Sequence, residues 1–355
     1  MLLEKRHEED REIYVTPEHV YGPEERMRDY LERTYKGRDT EGYIKSSFGI
    51  LRAIDDPEVV SHLVDKFTGN GVNPESEKKA RNYFEEHSFF AQVIRKDRGS
   101  HIVTETLYEN GIDPEEHPID YAITKMPSAQ ATKYRLKVVE DELERVIRHA
   151  VDEQNKAVVN IANWGSGPGR DTTDVAKRLK DTHYGEAMRV TNIDKDDDAL
   201  EKGEMYARDA GVYDKITFEK GKLGRIVRTK GNGEYDVGVV IGILCPFAWK
   251  ETYGFVKGLS SHISDDGGCL MASTSSPEML KEDPYLDFIR VEEGFWPLNY
   301  KGETIMKAIY RLAGFWGDLH TYRDEPWGHH LMLTGYKRNG KNGSGQNKGS
   351  FLGIF

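Results

Sequence analysis

Between about Val158 and Tyr336 the chain alternates short, continuous apolar runs with helical stretches, and few architectures accommodate that pattern. The runs are AVVNIANW, MRVTNID, ITFEKG, YDVGVVIGIL and GCLMAST; TTDVAKRLKD, ALEKGEMYARDAG and TYGFVKGLSSHI lie among them. A strand that is apolar on both faces must be covered on both faces, and helices connecting strands of one direction do this. The expected fold is therefore α/β, a doubly wound, mostly parallel sheet that binds ligands at the carboxyl ends of its strands. KGETIMKAIYRLAGF then reads as a helix ended by Gly314. Two more strand-like runs follow, Phe315 to Tyr322 and His329 to Tyr336, joined by RDEPWG. That link is too short for a crossover, so the two close the sheet as an antiparallel hairpin.

Residues 1–135 carry a different pattern. EERMRDYLERTY, DPEVVSHLVDKF and SEKKARNYFEEHSFFAQVI space their apolar residues by three and four, the helical period. The first is expected to start after Tyr21-Gly22-Pro23 and the second after Asp55-Asp56-Pro57. A long helix from Leu136 to about Gln154 leads into the alternating region, its apolar side formed by Val139, Leu143, Val146, Ile147 and Ala150. The reading is an all-helical domain over 1–135, serving as a lid or substrate domain, then a ligand-binding domain over 136–337. Residues 338–355, rich in Gly, Asn and Lys, read as a disordered tail.

A chain of 355 residues is long enough for these two domains. Its net charge of −11 argues against a nucleic-acid partner, which usually meets a basic surface. No apolar run approaches eighteen residues, so no membrane-spanning helix is expected. The charged start, MLLEKRHEEDREIY, lacks the apolar stretch of a secretory signal. The two cysteines, Cys245 and Cys269, sit in apolar runs and read as reduced thiols. Together these features point to a cytoplasmic protein with a small-molecule partner; a homodimer is compatible with them.

The first apolar run ends in Gly165-Ser166-Gly167-Pro168-Gly169, followed by a helix. Glycines there permit a sharp turn and close approach of a ligand to the backbone. Such a turn by itself suits NAD, a flavin or a phosphate. The spacing, G-x-G-x-G, differs from the dinucleotide pattern G-x-G-x-x-G. The next strand ends at Asp194, a carboxylate placed to accept bonds from two ribose hydroxyls. Asp196, Asp197 and Asp198 read instead as the solvated first turn of a helix.

Taken in order, VVNIANWGSGPG, VTNID, YDVGVVIGIL, HISDDGGCLMAST and the closing AGF with its hairpin resemble the class I S-adenosylmethionine-dependent methyltransferases. The resemblance covers about 180 residues. It implies a seven-stranded sheet whose last strand is inserted antiparallel beside the fifth, and S-adenosylmethionine as cofactor. It also implies cofactor contacts from Asn163, Gly165, Ser166 and Gly167 at the methionine end and from Asp194 and Lys195 at the ribose. Lys222 and Leu223 would lie near the adenine, and Ile241 and Leu244 at the edge shared by cofactor and substrate. Two positions depart from the family. Asn163 stands where an acidic residue is usual, and Lys222 falls where many members place an acid beside the adenine amine.

Methyl transfer from a sulfonium needs an in-line approach and a desolvated acceptor more than a dedicated base. No metal-ligand spacing is present. Tyr134 and Arg135 offer a hydroxyl, taken as the catalytic candidate, and a fixed cation suited to a carboxylate. The insertion from Ser275 to Tyr300 adds Phe288, Phe295, Trp296 and Tyr300; Trp296, Tyr300 and Arg135 are the substrate candidates. Methylation of a small molecule is the leading expectation. The alternatives are transfer or cyclisation of the aminocarboxypropyl group, releasing methylthioadenosine, and an NAD-dependent oxidoreductase.

Overall fold

The structure is a computed structural model that describes residues 18–34, 40–71, 73–97, 100–283, 298–323 and 328–338. Of these, the residues up to Tyr134, with Pro277–Asp283 and Gly328–His329, form one compact unit. Arg135–Ser276, Leu298–Arg323 and His330–Arg338 form a second. Trp296, Phe288, Phe295 and nearly all of the tail read as disordered lie outside the described residues.

The first unit contains helices α1 (Glu18–Thr34), α2 (Thr40–Arg52), α3 (Pro57–Phe67), α4 (Pro74–His87), α5 (Phe89–Lys96), α6 (Ile102–Glu109) and α7 (Pro118–Lys125). Helix α8 (Pro127–Asp152) starts in this unit and continues into the second. Polar residues ahead of prolines set several starts. Asp56 accepts the backbone N–H groups of Glu58 and Val59, and Asn73 accepts that of Glu75, each just before a proline at the first helical position. Leu31, Phe48, Leu51, Leu63, Phe84 and Phe90 pack into the common core.

Three expectations change here. Helix α1 runs through Pro23 instead of starting after it. The stretch from Ser76 to Ile94 is broken at Ser88, whose hydroxyl caps α5 by accepting the Ala91 N–H and donates to buried Asp120 at 2.7 Å. The residues ahead of Leu136 are themselves helical, because α8 begins at Pro127, where proline is well suited to a first helical turn.

In the second unit the strands are β1 (Val159–Trp164), β2 (Met188–Asp194), β3 (Ile216–Lys220), β4 (Val237–Val240), β5 (Cys269–Ser275), β6 (Leu319–Arg323) and β7 (His330–Tyr336). They form one sheet in the order β3-β2-β1-β4-β5-β7-β6. The first five are parallel, and β7 pairs antiparallel with both β5 and β6. This is the seven-stranded arrangement expected, closed by the hairpin. Its strand β6 starts at Leu319 instead of Phe315, because Phe315 turns into the core after Gly314 and lies 5.3 Å from the Tyr310 ring.

Successive strand residues feed opposite cores. Ile161, Val190, Val239 and Met271 meet Leu143, Val146 and Ile147 of α8, with Val175 and Leu179 of α9 (Arg170–Leu179). Trp164, Val240, Leu270 and Ala272 face α13 (Trp249–Ser260) and α15 (Glu303–Ala313). The remaining helices are α10 (His183–Ala187), α11 (Asp197–Ala210), α12 (Leu223–Ile226) and, in the first unit, α14 (Met279–Glu282). Gly238 makes room for the indole: a Cβ there would lie 2.5 Å from Trp164. From β1 the order runs outward through β2 on one side and β4 on the other, which opens a crevice at their carboxyl ends.

Candidate functional site

The turn after β1 is held open by backbone geometry. Gly165, Gly167 and Gly169 have φ of 71°, 53° and 68°, the left-handed region that costs other residues energy. The Gly165 N–H donates to the Ile193 carbonyl at 2.8 Å, tying the turn to the end of β2. The Gly167 N–H donates to Asp194 Oδ2 at 2.8 Å, and the Asp196 N–H to Asp194 Oδ1 at 3.1 Å. Each carboxylate oxygen retains a second lone-pair direction, so Asp194 can still receive two hydroxyls. The Ser166 hydroxyl donates to the Gly167 carbonyl at 3.0 Å.

A second constraint on the turn is apolar. A Cβ on Gly165 would lie 2.6 Å from Ile243 Cδ1 and 3.2 Å from Leu223 Cδ1. The glycine therefore sits against a pair of branched side chains, one from the loop after β4 and one from α12. Leu223 was expected near the adenine. Ile243 was not singled out, although it lies in the segment that was. Its neighbours do other work: Ile241 packs on the α8 side of the sheet, and Leu244 is fully buried on the other.

Two residues past the end of β4, Gly242 has φ of 77° and its N–H donates to Ser273 Oγ at 2.9 Å. The buried Arg135 guanidinium lies over this glycine, 3.6 Å from where a Cβ would be. Arg135 thus brings a desolvated cation to the carboxyl end of β4. Tyr134 belongs to the first unit and is 47% exposed. Lys195 and Lys222 are exposed, and Lys222 caps α12 with its backbone only.

Asn163 is buried at the end of β1, and its amide nitrogen donates to Asp171 Oδ1 at 2.9 Å. Asp171 is the second residue of α9, and the same oxygen accepts the Thr172 N–H at 2.8 Å. The Thr172 hydroxyl donates to Asn192 Oδ1 at 2.9 Å, and a Cβ on Gly169 would run into the Asn192 amide. Glu140, on α8, is pushed up to about 7 by burial and by Asp174 and Asp171, against the pull of Arg178. Sequence reasoning passed over Asp171; its only signal was its place in the first helical turn after the glycines.

The backbone of 299–301 is tied to the loop after β4 and to the end of β5. The Asn299 N–H donates to the Cys245 carbonyl at 2.8 Å, and the Lys301 N–H to the Ser275 carbonyl at 2.9 Å. Lys301 is 2% exposed, and its ammonium donates to the carbonyls of Leu244 at 3.0 Å and Asn299 at 2.7 Å. Burial depresses it to about 8, with Cys245 and Glu251 acting in the opposite direction. The Tyr300 hydroxyl is buried and has no hydrogen-bond partner among the described residues. Among the described residues no group of His, Cys, Asp and Glu could hold a metal, and no helix is long and apolar enough to cross a membrane.

The sequence matches no family model and no curated protein. Solved structures do match. A possible exported protein from Bordetella parapertussis is 13% identical and aligns over 91% of this chain and 97% of its own, with a TM-score of 0.54. Magnesium protoporphyrin IX methyltransferase from Synechocystis is 14% identical over 74% of this chain and 97% of its own, with a TM-score of 0.46. An O-methyltransferase family protein from Burkholderia thailandensis is 14% identical over 60% of each chain, with a TM-score of 0.43. At such identities the likeness is one of fold, and only the first score carries it. The fold itself, with β7 antiparallel beside β5, is the class I methyltransferase fold.

Proposed function

We propose that this chain is an S-adenosylmethionine-dependent methyltransferase acting on a small molecule in the cytoplasm, with the helical first unit selecting the acceptor. The observation that carries the reading is Asp194, held at the glycine turn by the Gly167 and Asp196 N–H groups. Vicinal ribose hydroxyls suit a fixed carboxylate of this kind. The side chains around the turn and past β4 fit the rest of an adenosyl ligand. Ile243 and Leu223 offer apolar surface for the base, and the Arg135 guanidinium is suited to the carboxylate of the amino-acid end. When bound, the sulfonium would supply an electrophilic methyl group. The residues of this chain would bind, orient and exclude water, which is most of what such a transfer requires.

Calorimetry with S-adenosylhomocysteine tests the reading. Asp194→Ala is expected to weaken binding by about a hundredfold, the effect of losing two charge-assisted hydrogen bonds. Asp194→Asn, which keeps one acceptor oxygen, should fall between. Unchanged affinity in both variants would sink the ribose assignment, and tighter binding of NAD would favour an oxidoreductase. Product analysis after incubation with S-adenosylmethionine and cell extract separates methyl transfer from attack on the aminocarboxypropyl carbon. The first leaves S-adenosylhomocysteine, the second methylthioadenosine.

A further inference from the structure

The amino-acid end of an adenosyl ligand carries an ammonium as well as a carboxylate, and a buried ammonium needs an anionic partner. At the end of β1 the residue is neutral Asn163. Its amide nitrogen is committed to Asp171 Oδ1 at 2.9 Å, so a carboxylate lies one hydrogen bond away, on the first turn of α9. Asp171 is 9% exposed, unlike a carboxylate that merely decorates a helix start from solvent. Its place is secured from below. The Thr172 hydroxyl shares its proton between the Gly169 carbonyl at 3.0 Å and Asn192 Oδ1 at 2.9 Å, which ties the first turn of α9 to β2.

We infer that Asp171 supplies the carboxylate that holds the ligand's α-ammonium, with Asn163 as the positioning residue that aims it. The charge has moved from strand to helix while the hydrogen bond between the two positions is kept. The groups facing Asp171 agree with this. Glu140 of α8 and Asp174 of α9 add negative charge, and Arg178 is shared with Glu140, Asp141 and Glu144.

This inference rests on the adenosyl reading, and a pair of ligands keeps the two apart. S-adenosylhomocysteine carries the amino-acid end; 5′-methylthioadenosine has the same adenosyl group without it. Both are titrated calorimetrically into the full chain. Asp171→Asn, which preserves an acceptor for the Asn163 amide, is expected to bind S-adenosylhomocysteine about ten- to a hundredfold more weakly. Its affinity for methylthioadenosine should stay within about twofold of the unsubstituted chain, since no charged contact is lost.

The exchange variant Asn163→Asp with Asp171→Asn reverses the hydrogen bond and returns the charge to β1. It should recover most of the lost affinity. It also carries the test if Asp171→Asn does not fold. In that case retained S-adenosylhomocysteine binding supports the inference, and selective loss of it overturns the inference. Equal losses for both ligands in a folded Asp171→Asn would show a structural role only and overturn it, as would no loss at all. Failure of the unsubstituted chain to bind either ligand would instead remove the adenosyl reading.

Discussion

The two units bury cores of similar character but specify them by different means. In the second, the backbone dictates residue type. Three left-handed positions within five residues admit little but glycine, and strands covered on both faces admit little but apolar side chains. In the first, the decisive groups are polar side chains that meet partners far away in sequence. Asp120 accepts from the Ser88 hydroxyl at 2.7 Å and from the Phe89 and Phe90 N–H groups at 2.7 and 3.0 Å, about thirty residues distant. Dihedral requirements are written locally, whereas a partner's identity is known only once the chain has folded.

The largest effects should come from emptying the two cores separately. Phe84 and Trp164 are each 1% exposed, one in each unit. Phe84→Ala and Trp164→Ala are expected to cost about 3–5 kcal/mol apiece, from lost burial and the cavity left behind. In scanning calorimetry each should lower a different component of the unfolding endotherm. Both substitutions shifting one shared transition equally would break the division drawn between the units.

A smaller effect tests the polar specification of the first unit. Asp120→Ala leaves three donors, two of them buried, without their acceptor and should cost roughly 2–4 kcal/mol. Asp120→Asn, retaining one oxygen, should cost less. Hydrogen exchange at Phe89 and Phe90 reports the change directly. Protection that is unaltered in Asp120→Ala would mean that α5 is held by its apolar face and not by its cap.

The same contrast explains what was legible beforehand. The sheet, the closing hairpin, Gly165 to Gly169 and Asp194 each follow from a local requirement, and each was readable. The break at Ser88 was not, because helical periodicity continues through it and only Asp120 makes the alternative cap worthwhile. Ile243 was hidden for a milder reason: three apolar side chains around Gly242 do not say which one faces the turn. Asp171 and Lys301 were hidden more deeply. A carboxylate in a first helical turn and a lysine after an insertion are ordinary solvent-facing residues until tertiary structure buries them. Arg135 was singled out as a substrate candidate for its chemistry, and its place against Gly242 depends on α8 starting earlier than its apolar pattern suggested.

The smallest predicted effect concerns those buried charges, and it separates two titrations within the second unit. Glu140 is raised from 4.5 to about 7, so the folded state holds its proton more tightly than the unfolded chain. Its contribution to stability is therefore greatest at acid pH, falls as pH rises from about 4.5 to 7, and is flat above. Lys301 is lowered from 10.5 to about 8, so the unfolded chain binds its proton more tightly. Its contribution is lowest below about 8 and rises as pH climbs to about 10.5. Between 7 and 8 both groups are ionised and buried, which places a shallow minimum in the pH–stability curve near neutrality. Each slope should be on the order of 1 kcal/mol or more. Melting temperatures across this range should lose the acid-side fall in Glu140→Gln and the alkaline-side rise in Lys301→Met. Persistence of either slope in its own variant would assign that titration to another group. Loss of both slopes in one variant would mean that the two charges are coupled to each other.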